Sequence, residues 1–148
     1  QTHFVYPKVV EITGKIYSDQ TGRFPVLSSR GNKYVMVVYD YDSSAILAAP
    51  IKNRSERELL RAYSLMHQHL TDRGLKPQLQ NWTTNALRLS NSSCAKTTSI
   101  SNLLVPPYDH RQNAAERAIG TWKEHFVAGL ASLDPNFPMH LWCRLIDQ

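Results

Sequence analysis

Tyr34-Val35-Met36-Val37-Val38-Tyr39 is the stretch on which the fold turns. It is β-branched and aromatic, almost continuously apolar, and too short for a free-standing helix, so it predicts a central strand buried on both faces. A strand of that kind needs covering layers on each side, and the flanking sequence supplies the other elements. Upstream, Lys15-Ile16-Tyr17-Ser18-Asp19 reads as a short strand running into a Gly/Arg/Pro loop, Thr21-Gly22-Arg23-Phe24-Pro25. Downstream, Asp42-Ser43-Ser44 supplies a turn and Ala45-Ile46-Leu47-Ala48-Ala49-Pro50 returns as the next strand, ended by Pro50. Together these form a three-stranded meander.

A helix starts at Asn53 or Ser55, where Ser55 and Glu58 fit a capping box. Leu59, Leu60, Tyr63, Met66, His67 and Leu70 recur at helical spacing as far as Gly74, which suits a C-terminal cap. Lys76 to Trp82 reads as a fourth strand. Residues 83–99 are rich in Ser, Thr and Asn, with only a hint of helix at Ala86, Leu87 and Leu89. Ile100 to Val105 reads as a fifth strand stopped by Pro106-Pro107. A long helix follows from about Gln112 to Leu130, with Ala115, Ala118, Ile119, Trp122, Phe126 and Leu130 on its apolar face. Asp134-Pro135-Asn136-Phe137-Pro138 breaks it, and a final helix runs from Met139 to Ile146. Residues 1–13 show no clear period and read as a leader or linker. The order βββαβ(α)βαα predicts an α/β domain, a five-stranded mixed sheet flanked by helices, over residues 14–148.

Composition bounds the function. At 148 residues and 42% hydrophobic, the chain suits one domain with a real core. Seventeen Lys and Arg against twelve Asp and Glu give a net charge of +5, which favours a polyanionic partner. The two cysteines, Cys94 and Cys143, make no metal-binding spacing and read as free thiols in a reducing compartment. No apolar run is long enough to span a bilayer. The chain has no initiator Met and no signal-peptide pattern at its start, and is expected to be part of a longer polypeptide.

Three motifs, in order and in the expected elements, carry a resemblance: Asp19-x-Thr21-Gly22-x-Phe24-Pro25, Leu104-Val105-Pro106-Pro107, and Asn113-Ala114-Ala115-Glu116-Arg117-Ala118. The stretch from Gly14 to about Leu145 resembles the catalytic core of retroviral and LTR-retrotransposon integrases, members of the ribonuclease H-like superfamily. The resemblance implies a two-metal DNA strand transferase in which two aspartates and a glutamate hold Mg²⁺ or Mn²⁺. Its first aspartate corresponds to Asp19, and its glutamate, on the helix after the fifth strand, to Glu116. It further implies DNA as partner (element ends and target), possible homodimerisation, and a nuclear location in a eukaryotic host. Carboxylates are needed because two hard cations about 3.5–4 Å apart must activate a nucleophile and stabilise the leaving oxygen of a phosphodiester.

The family's second aspartate closes the fourth strand and is commonly followed by Asn. Counting from Leu79-Gln80 places it at Thr83; counting back from Pro106-Pro107 and Glu116 places it at Thr84, with Asn85 after it. Both candidates are threonine, a neutral and weaker ligand. The expectation is therefore a degenerate core that keeps its shape and binds the metal pair poorly. Among other acids, Asp40 and Asp109 are secondary candidates for ligation, Asp42 reads as a turn residue, and Asp72 falls in the helix-ending segment. His67 and His69 lie two apart and cannot share a helix face.

For contacts to DNA phosphates, Arg111, Arg117 and Lys123 on or near the long helix and Lys15, Arg23, Arg30 and Lys33 around the first strands are the available cations, with Asn113 one turn before Glu116. Trp122, Phe126 and Trp142 sit at apolar helical positions and read as core or dimer packing. Two other readings stay open: a non-catalytic nucleic-acid-binding or assembly module of the same fold, and a ribonuclease H-type nuclease.

Overall fold

The computed structural model describes residues 12–77, 79–82, 101–103 and 110–146; within 79–82, 101–103 and 110–115 it describes the backbone alone. The central strand is β2, Tyr34–Asp40, between β1, Lys15–Gln20, and β3, Ile46–Ile51. Side chains alternate across a strand, and here both sides are buried. Met36 and Val38 face Ile16, Ile51 and the stripe Leu59, Ala62, Met66 and Leu70 of α1, Glu56–Asp72. Val35 and Val37 face the other way, against Ile119 of α2, His110–Ala131, and against Trp142 and Cys143. One continuous apolar run thus builds two cores, each buried aliphatic side chain contributing about 1.5–3 kcal/mol.

β1, β2 and β3 form the antiparallel meander, with Asp19 opposite Val37 and Met36 opposite Ala49. Two short strands, β4 at Leu79–Trp82 and β5 at Ser101–Leu103, run parallel to β1 and to each other, giving the order β3-β2-β1-β4-β5. Pro50 is tolerated because β3 lies at the sheet edge. Its carbonyl accepts a hydrogen bond from the Arg61 guanidinium at 3.3 Å, which blunts that edge against pairing with another chain.

Helix α1 ends in a Schellman motif. Gly74 takes φ +82°, its N–H donates to the Thr71 carbonyl, and Leu75 N–H donates to that of Leu70. The start of α1 corrects the capping-box expectation. Ser55 is the N-cap, but its side chain caps nothing; its N–H donates to Asn53 Oδ1, and Glu58 accepts from the Lys52 N–H and pairs with Arg61. Glu58 is engaged by the Arg61 guanidinium and the Lys52 N–H, and the Ser55 N–H is taken by Asn53, so no capping box closes.

The last helix is also not an α-helix. Met139–Arg144 is a 3₁₀ helix. The His140 carbonyl, which an α-helix would pair with the Arg144 N–H, is taken by Ser29 N–H at 2.7 Å, and the Trp142 indole ties the turn to the same loop by donating to the Val26 carbonyl at 2.9 Å. Among the described residues Cys143 is a free, buried thiol, and no helix is long and apolar enough to cross a membrane. Cys94 lies outside the described residues.

Candidate functional site

β1 places Asp19 on the face that α2 covers, because Asp19 shares its side of the sheet with Val37. The loop after it is pinned. Thr21 N–H donates to the Val35 carbonyl and Thr21 Oγ1 accepts from Val35 N–H, at 2.8 and 2.9 Å. Phe24 N–H donates to the Lys33 carbonyl. Arg54 donates to the Thr21 carbonyl at 2.8 Å while its guanidinium lies 4.7 Å over the Tyr34 ring. The end of β1 is therefore a fixed platform for whatever Asp19 contacts.

That contact is Lys123, whose ammonium donates to Asp19 Oδ2 at 2.7 Å. The pair joins β1 to α2 across 104 residues of sequence, and both side chains are about one-third exposed, at 34% and 33%. Solvent screening limits its worth to about 0–1 kcal/mol, so it orients more than it stabilises. Glu116 is exposed and seven residues before Lys123 on α2. Seven residues is about two turns, which puts the two on one helix face about 10 Å apart.

Lys123 belongs to the candidate site in a way the sequence reading missed: its ammonium sits on the carboxylate assigned to metal. No local pattern signals this; only the register of α2 over β1 does. Thr83, Thr84 and Asp109 lie outside the described residues. Arg111 and Asn113 fall in the first turn of α2, where the backbone alone is described, and Arg117 is exposed on the same helix.

The remaining predicted residues divide by position. Asp40 is a hairpin residue rather than a ligand: it is 2% exposed, and its carboxylate accepts from the Ser43 N–H and hydroxyl. Asp42 does more than turn the chain, since its carboxylate takes the Thr13 N–H, the Thr13 hydroxyl and the Gly14 N–H. Burial alone would raise its pKa, but those hydrogen bonds, with nearby Lys15, bring it below the ordinary value. Lys15 is thus at the Asp42 end of β1, four residues and about 13 Å from Asp19. Arg23 and Lys123 line one pocket beside the site, whereas Arg30 joins Lys52, Arg61 and Arg73 in a separate groove along β3. Trp122, Phe126 and Trp142 all join the packing on the α2 side.

Tested against a two-metal centre, the described residues do not fit. None of them form a group of three His, Cys, Asp or Glu able to hold an ion, and the Asp19 carboxylate already carries an ammonium. A hard divalent cation needs several oxygen donors.

No family model and no curated protein matches the sequence. Solved structures do. The chain is similar to the catalytic core domain of BIV integrase, at 18% identity over 91% of this chain and 82% of that one, with a TM-score of 0.61. It is similar to the HTLV-2 integrase catalytic core domain in complex with magnesium, in its dimeric form, at 17% identity over 89% and 80%, TM-score 0.60. A chain of the simian T-cell lymphotropic virus intasome, in complex with PP2A regulatory subunit B56 gamma, matches at 18% identity and TM-score 0.65; the match covers 89% of this chain and 46% of that one. These likenesses establish the fold: the α/β, ribonuclease H-like fold of retroviral integrase catalytic cores.

Proposed function

We propose that this chain is an integrase-type core of a retroelement that holds DNA on the Asp19–Lys123 side of its sheet and is degenerate in its two-metal chemistry. The observation that carries the reading is the 2.7 Å contact between Lys123 Nζ and Asp19 Oδ2. On the carboxylate that the integrase resemblance assigns to metal, this chain places a cation of its own. Threonine at both positions that could hold the second aspartate, Thr83 and Thr84, points the same way. β4 and β5 are read as the rest of a five-stranded mixed sheet.

The chain's own residues suit phosphate binding. Lys123, on a helix packed against the sheet, and exposed Arg23 present cations near the end of β1, and Arg117 adds another along α2. Asp19 holds the Lys123 ammonium in place by a charge-assisted hydrogen bond. Contacts of this type are sequence-tolerant and weaken steeply with salt. Arg111 and Asn113 belong to the same proposed DNA face. Self-association and a nuclear location complete the proposal, the first supported by the dimeric and trimeric forms named for the HTLV-2 core.

The test pairs DNA binding across a salt series with a Mn²⁺-supported strand-transfer assay on element-end DNA and a cleavage assay on RNA–DNA hybrid. The expected result is salt-sensitive binding without turnover. Strand transfer would show an intact transferase and hybrid cleavage a nuclease; either sinks the degenerate reading. Absence of binding would sink the DNA-holding reading.

A further inference from the structure

Beside the Asp19–Lys123 pair lies a pocket of about 290 Å³ between the loop after β1 and α2. Phe24, Trp122, Phe126 and Val127 supply its apolar walls, and among the described residues Arg23 and Lys123 are the charged ones that line it, with no acid. The volume lies at the low end of the range of about 300–1,000 Å³ for small-molecule sites, which suits a single planar ring system.

The walls are held before any ligand arrives. The Trp122 and Phe126 rings are parallel within 8° at 5.2 Å, and Phe24 meets Phe126 edge-on at 6.0 Å. From behind, Trp142 stacks on Phe24 at 4.3 Å and 11°. The loop carrying Phe24 is pinned to β2 by the Thr21 and Phe24 hydrogen bonds. At the mouth, Val127 is 58% exposed. Pure core packing would close this aromatic group off; here it stays open on the side where the cations stand.

We propose that this pocket receives one unpaired base of a DNA strand whose neighbouring phosphate contacts Lys123. Aromatic side chains take the π face of any base, and cations at the rim take the backbone, which is how single-stranded nucleic acid is held without sequence readout. The charge supports this occupant over an uncharged aromatic ligand, since both charged side chains of the lining among the described residues are cations. The inference rests on the DNA-binding reading above and adds the strand's unpaired base as the group recognised.

The test uses a DNA duplex with a short single-stranded overhang carrying 2-aminopurine, against the same duplex with abasic overhang positions. Wild type is compared with Trp122→Leu and with Val127→Gln, which lengthens a neutral side chain at the exposed mouth without touching the core; circular dichroism checks each fold. Wild type is expected to quench 2-aminopurine fluorescence and to bind the abasic duplex about tenfold more weakly. Both variants lose the quenching and keep the salt dependence of binding. Equal affinity for intact and abasic overhangs, with salt-sensitive binding, overturns the pocket and leaves the DNA-binding reading standing. No salt-sensitive binding to either duplex overturns both.

Discussion

Replacing Trp142 tests whether the 3₁₀ helix at Met139–Arg144 is a structural anchor of the site or a loose appendage. The indole is 1% exposed, stacks on Phe24 at 4.3 Å and donates to the Val26 carbonyl at 2.9 Å. Trp142→Phe keeps most of the ring area and the stack but leaves the carbonyl without this donor, a loss of about 0.5–1.5 kcal/mol. Trp142→Ala also removes a fully buried aromatic and leaves a cavity, for a total of about 3–5 kcal/mol. A domain of ordinary stability has about 5–15 kcal/mol in hand, so the alanine variant should remain folded near room temperature with a sharply lowered margin. Urea unfolding followed by circular dichroism reads the difference. With a slope of about 1–3 kcal/mol/M, the alanine variant should shift the midpoint by about 1–5 M and the phenylalanine variant by no more than half of that. A Trp142→Ala loss under about 1 kcal/mol would show that Trp142 does not seal the second core, and with it that Phe24 is not fixed from behind.

Gly74→Ala should cost about 1–2 kcal/mol in thermal unfolding, all of it from the backbone: φ is +82° and no atom lies within 4 Å of an added Cβ. Asp42→Asn should lose about 1–2 kcal/mol at neutral pH through weaker acceptance from Thr13 and Gly14. Because the folded pKa of Asp42 lies below its ordinary 3.8, its contribution is present above that value and drains as pH falls through the folded pKa. Wild-type stability should therefore fall more steeply than that of Asp42→Asn as pH drops below about 4; parallel profiles would refute the assignment. Lys123→Gln should change stability by under about 1 kcal/mol, the pair being one-third exposed, while lowering the salt slope of DNA binding by about one.

The parts of the fold legible in the sequence were those whose signal is local and periodic. The run Tyr34–Tyr39 announced a strand buried on both faces, and the stripe Leu59, Tyr63, Met66, Leu70 with Gly74 announced α1 and its end. Where side chains had a choice of partners, local pattern failed. Ser55 and Glu58 have the spacing of a capping box, but Arg61 and the Lys52 amide compete for the carboxylate. Met139–Ile146 has helical spacing, yet the post-β1 loop takes the His140 carbonyl and a 3₁₀ turn results. In the site, the elements carrying Asp19 and Glu116 could be read from motif, whereas the Lys123–Asp19 contact depends on how α2 lies over β1. Asp42 looked like any turn aspartate because its three partners, on Thr13 and Gly14, sit 28 and 29 residues away.

The most direct test of the account is anomalous diffraction from crystals soaked in Mn²⁺. Lys123 should remain on Asp19, with no manganese peak at that carboxylate. Two peaks between Asp19 and Glu116, with Lys123 displaced, would contradict it and restore a working two-metal centre.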